Sequence, residues 1–203
     1  MEKYMFFFDL DATITKAEIL QEIAEKTDKK EQIDALMKNV SEDVPFYHTF
    51  IEKIMVLKSV PISTVRNIVN NISLSDKIVE FIRENKDRCY IVTSVPDVWV
   101  DALMSELGMQ ERYFSTKAIS QGDYVVGIEQ IIDKGQAVRQ IVEETGCLSV
   151  VTGDGNNDAQ MMVVADVSIG YGGVRAVSPT VLKCATHVVY SEDRLCQFLR
   201  QLL

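Results

Sequence analysis

Asp9 and Asp11 stand two residues apart at the end of an unbroken apolar run, Tyr4 to Phe8, and Thr13 follows them. Paired carboxylates can divide labour, one acting as nucleophile or cation ligand and the other moving protons. A second acidic stretch, GDGNND at 153–158, adds Asp154 and Asp158 around glycines that let backbone approach a ligand closely. If Asp9, Asp11 and Asp154 meet, their repulsion demands a cation. Hard oxygen donors without nearby nitrogen or sulfur donors point to Mg²⁺, which binds through a few carboxylates and a substrate phosphate.

These residues need strands to carry them. An apolar run without alternation reads as a strand buried on both faces, and ligands of such sheets sit beyond the carboxyl ends of the strands. The expected strands 4–8, 89–93 and 148–152 end at Asp9 and Asp11, at Thr93 and Ser94, and at Asp154. Helical patterns are expected from Ala17 to Thr27, at about 30–39, 45–57 and 61–70, with Pro45 and Pro61 placed as helix starters. No strand signal interrupts residues 17–72. From residue 74 helices and strands alternate, including SDKIVEFIREN, DVWVDALMSEL, a hairpin around Gly122 and KGQAVRQIVEET. The expected fold is α/β: a doubly wound, mainly parallel sheet formed by residues 1–16 and 73–203, with a small all-helical cap, residues 17–72, inserted after the first strand.

The 203 residues, 47% hydrophobic and 25% charged, describe a globular chain large enough for its own core. A net charge of -9 disfavours nucleic acid and anionic membrane as partners. An anionic substrate must therefore be captured by a local device such as a metal. Cys89, Cys147, Cys184 and Cys196 form no CxxC pair, and two lie in strand-like stretches, so reduced, buried thiols are expected. His48 and His187 lack metal-like or triad-like neighbours, while Trp99 and the methionines fall at core positions. With no basic leader and no membrane-length apolar stretch, a cytoplasmic location is expected.

DLDAT at 9–13, Thr93 at a strand end, Lys134 opening a helix and GDGNND resemble, in order and spacing, the four motifs of the haloacid dehalogenase superfamily. The resemblance spans essentially the whole chain, and the helical insert resembles the cap of its phosphoserine phosphatase-like branch. It implies a Mg²⁺-dependent phosphomonoesterase acting through an aspartyl-phosphate on phosphoserine or another small phosphorylated metabolite, as a monomer or homodimer. Asp9 is then the nucleophile and Asp11 the general acid and base. Asp9, Asp11 through its carbonyl, and Asp154 hold the metal, with Asp158 acting through a bound water. Lys134 neutralises Asp9 and the phosphoryl oxygens. Thr93, Ser94, Asn157 and N–H groups of the following helix contact phosphate. Glu18, Phe46 and Lys53 face the substrate from the cap.

Two departures from that branch bear on substrate. Lys53 stands where those enzymes place an arginine to grip a carboxylate, and lysine lacks the planar fork. SVPD follows in place of the usual glycine pair after Thr93, so Pro96 removes one N–H donor. Three other readings fit parts of the pattern: a phosphotransferase using the same intermediate, a non-catalytic phosphate-binding module, and a response-regulator-like receiver. The last has no place for the insert or for GDGNND, and a binding module would be expected to have lost Asp9 or Asp11.

Overall fold

The computed structural model describes residues 3–38 and 46–203, with side chains at all of these except 37, 38 and 46. The first strand, β1 (Tyr4–Phe8), lies at the centre of the sheet. On one side it pairs in parallel with β2 (Cys89–Pro96) and on the other with β5 (Leu148–Gly153). Beyond β2 come β3 (Tyr113–Gln121) and β4 (Tyr124–Gln130). Beyond β5 come β6 (Val167–Tyr171) and β7 (His187–Val189), giving the order β4-β3-β2-β1-β5-β6-β7. Only the β3–β4 pairing is antiparallel, closed by the expected turn at Gly122.

The central position explains the aromatic run. Phe6 and Phe8 point to one face, where both meet Phe81 of α5 (Asp76–Glu84) edge-on. Phe7 points to the other, stacking on Tyr90 and packing among Val138 and Ile141 of α7 (Lys134–Thr145). All three phenylalanines are fully buried. Helices α6 (Asp97–Glu106), α8 (Ala159–Met162), α9 (Pro179–Cys184) and α10 (Glu192–Arg200) complete the outer layers. Trp99, Met104, Met161 and Met162 are core residues, as their pattern implied.

Between β1 and α5 stand four helices: α1 (Ile19–Glu25), α2 (Lys30–Lys38), α3 (Phe46–Leu57) and α4 (Ile62–Asn70). Among the described residues of 17–72 there is no strand, and a bridge between Thr15 and Leu74 ties the two ends of the segment together. The helix start expected at Pro45 lies outside the described residues. Helix α4 lies against α6 through Arg66, which donates to the Val98 carbonyl at 2.9 Å and pairs with Asp101. No helix of the described residues is long and apolar enough to cross a membrane.

Two expectations are corrected. β2 does not end at Thr93 but stays extended through Pro96, because a residue before proline avoids the helical region. The helix after it starts at Asp97, as DVWVDALMSEL implied. Of the four thiols, all free, Cys89 and Cys196 are buried, the latter on α10, whereas Cys147 and Cys184 are partly exposed because they lie at element ends.

Immediately after β1 the chain makes one π turn, Leu10–Ile14, closed by the Thr15 N–H donating to the Leu10 carbonyl at 2.9 Å. Ala12 there has φ 54°, a left-handed conformation that a non-glycine residue adopts at a cost. The buried Thr15 hydroxyl holds the turn, accepting from the Ala12 N–H at 3.1 Å and lying 3.0 Å from the Leu10 carbonyl. Thr15→Val, similar in shape but without the hydroxyl, leaves the buried Ala12 N–H unsatisfied and is expected to lower the unfolding free energy in urea by about 1–3 kcal/mol. An unchanged urea midpoint would show that the hydroxyl does not hold the turn.

Candidate active site

The carboxyl ends of β1, β5 and β2 bring the predicted residues to one edge of the sheet. Asp9 leaves β1 beside β5, its N–H donating to the Thr152 carbonyl at 2.9 Å. Lys134, at the first position of α7, is fully buried and reaches Asp9 at 2.5 Å and Asp158 at 2.6 Å. Its helix is capped by Asp133, which accepts from the Gln136 N–H. The other Asp158 oxygen accepts the N–H groups of Asp154 and Gly155 at 2.9 and 2.8 Å, fixing the turn after β5. Gly153 is required there, since a Cβ would stand 2.5 Å from the Asp158 carboxyl carbon.

Asp9, Asp154 and Asp158 are all buried, and one oxygen of each lies within 4.8 Å of the others. Burial, then repulsion from Asp158, pushes the Asp9 pKa up to about 8 against the pull of Lys134. Burial and repulsion from Asp9 and Asp158 push Asp154 up to about 9. Lys134 loses solvation, but Asp158 and Asp9 outweigh that loss and hold its pKa above the ordinary lysine value. The Lys134 ammonium, even with the Arg175 guanidinium on Asp154, leaves the three buried carboxylates under-neutralised, and hard oxygen donors in this state fit a divalent cation.

Asp11, partly exposed, has its pKa raised by burial, although one oxygen accepts the Ile19 N–H of α1 at 2.7 Å. That direction favours the protonated form a general acid needs. Thr93 and Ser94 are buried at the end of β2, and the Asn157 side-chain amide donates to the Ser94 hydroxyl at 3.0 Å. The Val95 N–H donates to the Thr93 hydroxyl oxygen at 3.1 Å and so is turned away from a ligand. Lys53, on α3, stands near enough to Asp11 for its carboxylate to counter the lowering of the lysine pKa by burial. Glu18 immediately precedes α1 and pairs with Arg175. Phe46 opens α3, but its side chain lies outside the described residues.

A sequence profile of haloacid dehalogenase-like hydrolases matches residues 6–163, from β1 past the GDGNND turn. The chain belongs to the haloacid dehalogenase family of hydrolases. Within that family it is similar to phosphoserine phosphatases. It is 25% identical over 181 residues to one from Methanocaldococcus jannaschii, covering 84% of this chain and 86% of the relative. It is 28% identical over 181 residues to one from Archaeoglobus fulgidus, covering 84% of this chain and 53% of that longer relative. The solved structure of a phospho-aspartyl intermediate analogue of phosphoserine phosphatase superposes with a TM-score of 0.81 over 99% of both chains, at 24% identity. The sequence-derived assignment to the phosphoserine phosphatase-like branch, an enzyme hydrolysing phosphoric monoesters, is thereby borne out.

The hydroxyl of Thr13, the last residue of DLDAT, lies 3.4 Å from one Asp154 oxygen. Two further features of this haloacid dehalogenase site are not marked by local sequence pattern. Gln160 joins the helical segment to α7, donating to the Tyr47 hydroxyl while accepting the Lys134 N–H at 3.2 Å. Arg175, in the loop after β6, pairs with both Asp154 and Glu18. Arg175 stands two residues after the Gly172-Gly173 pair, a turn signal that marks a loop but not what the loop faces.

The raised carboxylate values fix the sign of a pH effect. With chelator present, native Asp9 and Asp154 keep protons that unfolded carboxylates, at the ordinary 3.8, release. The native state then binds more protons, so stability must fall as pH rises from about 4 towards 9. The melting temperature in chelator is expected to drop between about pH 5 and pH 8 and to drop less in Asp154→Asn. Added Mg²⁺ should raise it more at the higher pH. A melting temperature that rises across this range, or an Asp154→Asn variant with the same pH slope, would contradict the assignment.

Proposed function

We propose that the chain is a Mg²⁺-dependent phosphomonoesterase that forms an aspartyl-phosphate on Asp9 and acts on small phosphorylated metabolites. The observation that carries this reading is the buried Lys134 ammonium shared by Asp9 and Asp158, with Asp154 one strand end away. Together with a bound cation, such a group keeps the Asp9 carboxylate ionised, fixed and ready to attack beside positive charge. Asp9, Asp154 and the Asp11 carbonyl are assigned to the metal, and Asp158, both oxygens of which are committed to Lys134 and backbone, to its outer sphere. When bound, the cation neutralises phosphoryl oxygen charge.

The residues of the chain then divide the steps. An Asp9 oxygen bonds to phosphorus as the ester P–O bond breaks, and protonated Asp11 delivers its proton to the departing alkoxide. Asp11, now a carboxylate, takes a proton from water as that water attacks phosphorus, and the P–O bond to Asp9 breaks to release inorganic phosphate. Lys134 holds Asp9 in line, while Thr93, Ser94 and Asn157 donate to phosphoryl oxygens. The helical segment 17–72, as a cap, covers the site with Lys53 and excludes water from the first step. A chain with charge -9 and no membrane-crossing helix among its described residues supports a cytoplasmic place and no polyanionic partner. A monomer or a homodimer satisfies the same reading.

The test is phosphate release from a panel of small phosphomonoesters with Mg²⁺ and with chelator. Asp9→Asn is expected to lower kcat by at least about a thousandfold while retaining a cooperative melt, as loss of a covalent nucleophile requires. Chelator should abolish the wild-type rate and Mg²⁺ restore it. Turnover in Asp9→Asn close to wild type would overturn the nucleophile assignment.

A further inference from the structure

Arg175 occupies a place in the site that the reaction scheme above does not use. Its Nε donates to the Asp154 carboxylate, and its Nη1 pairs with Glu18. The guanidinium crosses Gly155, where any Cβ would stand 2.9 Å from Nη2, so this glycine leaves room for the arginine. The loop that carries Arg175 is itself tied to the same turn, because the Ser178 N–H donates to the Asp154 carbonyl at 2.8 Å. Arg175 is thus held at its root by backbone and at its tip by two carboxylates.

This arrangement bears on Glu18, whose family resemblance assigns it to a substrate ammonium group. We propose that Arg175 is a specificity-determining residue that keeps Glu18 occupied, so that the site selects small phosphorylated hydroxy acids over phosphorylated amines and amino acids. The inference deepens the phosphomonoesterase reading and rests on it. A guanidinium shared by two carboxylates makes charge-assisted hydrogen bonds in fixed directions, and an incoming ammonium would have to displace one of them. Displacement would leave Arg175 with Asp154 alone and bring a second cation beside it. With Glu18 and Arg175 cancelling, Lys53 supplies positive charge close to Asp11. A carboxylate suits that charge, and an ammonium does not.

Phosphoserine and 3-phosphoglycerate differ by an amine against a hydroxyl, so the ratio of their kcat/KM values reads the Glu18 environment directly. The wild-type enzyme is expected to use 3-phosphoglycerate at least as well as phosphoserine, and Arg175→Ala to shift the ratio towards phosphoserine by about tenfold. Adding Glu18→Gln to Arg175→Ala should remove that shift, since the freed carboxylate causes it. Calorimetric binding of the two esters to Asp9→Asn, with and without Arg175→Ala, should give the same pattern without turnover. Arg175→Gln serves if Arg175→Ala lacks a cooperative melt.

A wild-type preference for phosphoserine of about tenfold or more, or a ratio unmoved by either Arg175 variant, would overturn the proposal. So would hydrolysis of p-nitrophenyl phosphate without either acid ester, and in each of these cases the phosphomonoesterase reading stands. Absence of hydrolysis with p-nitrophenyl phosphate as well as both esters would overturn that reading and the proposal together.

Discussion

A lysine ammonium buried without a counter-charge is costly, and Lys134 has two carboxylates on it, Asp9 and Asp158. Each partner does a second job. Asp9 ends the central strand, and Asp158 closes the turn after β5 by accepting two backbone N–H groups. The ammonium therefore joins β1, the β5 turn and the start of α7 into one unit. Removing Lys134 would strand both carboxylates in the core, so the geometry of the site and the integrity of the sheet edge are the same constraint.

The surrounding structure restrains this cluster from both sides. On the β1 side a π turn with a left-handed Ala12 swings Asp11 outward to the N-terminus of α1, where it accepts the Ile19 N–H. On the β5 side Gly153 admits the Asp158 carboxylate at a distance no Cβ allows. The strained residue and the glycine stand at the ends of adjacent strands, where the chain must turn sharply while keeping buried polar groups satisfied. Gln160 then links the first residue of α7 to Tyr47 of α3, so the helical segment touches the backbone of the lysine that neutralises Asp9.

Charge is also the thread from site to substrate. The chain carries -9 overall and concentrates buried acids at one edge of its sheet, a poor environment for an anionic ester unless cations are supplied locally. Lys134 supplies one inside, Lys53 another near Asp11, and the under-neutralised carboxylates fit a divalent ion. Arg175 differs from these because its charge is spent on Asp154 and Glu18, which alters what the rim can offer an ammonium group.

Period and punctuation in the sequence were enough to place β1, the alternating helices and strands after residue 74, and KGQAVRQIVEET as α7, because each is decided by local patterning of apolar residues and caps. The motif residues Asp9, Asp11, Thr93, Lys134, Asp154 and Asp158 were legible for the same reason: each sits beside a strand end or helix start that local pattern reveals. Other features were settled only by the folded chain. Pro96 keeps β2 extended locally, but the register shift in its pairing with β3 between Thr93 and Pro96, and the Val95 N–H donating to the Thr93 hydroxyl oxygen, belong to the fold. The Ala12 conformation follows from closing the π turn under the bridge between Thr15 and Leu74. Arg175 meets Glu18 and Asp154 across 157 and 21 residues of chain, contacts that no short-range pattern encodes. Local propensity determines which segments end in reactive groups, whereas the shared burial of charges from distant segments determines which of those groups remain free.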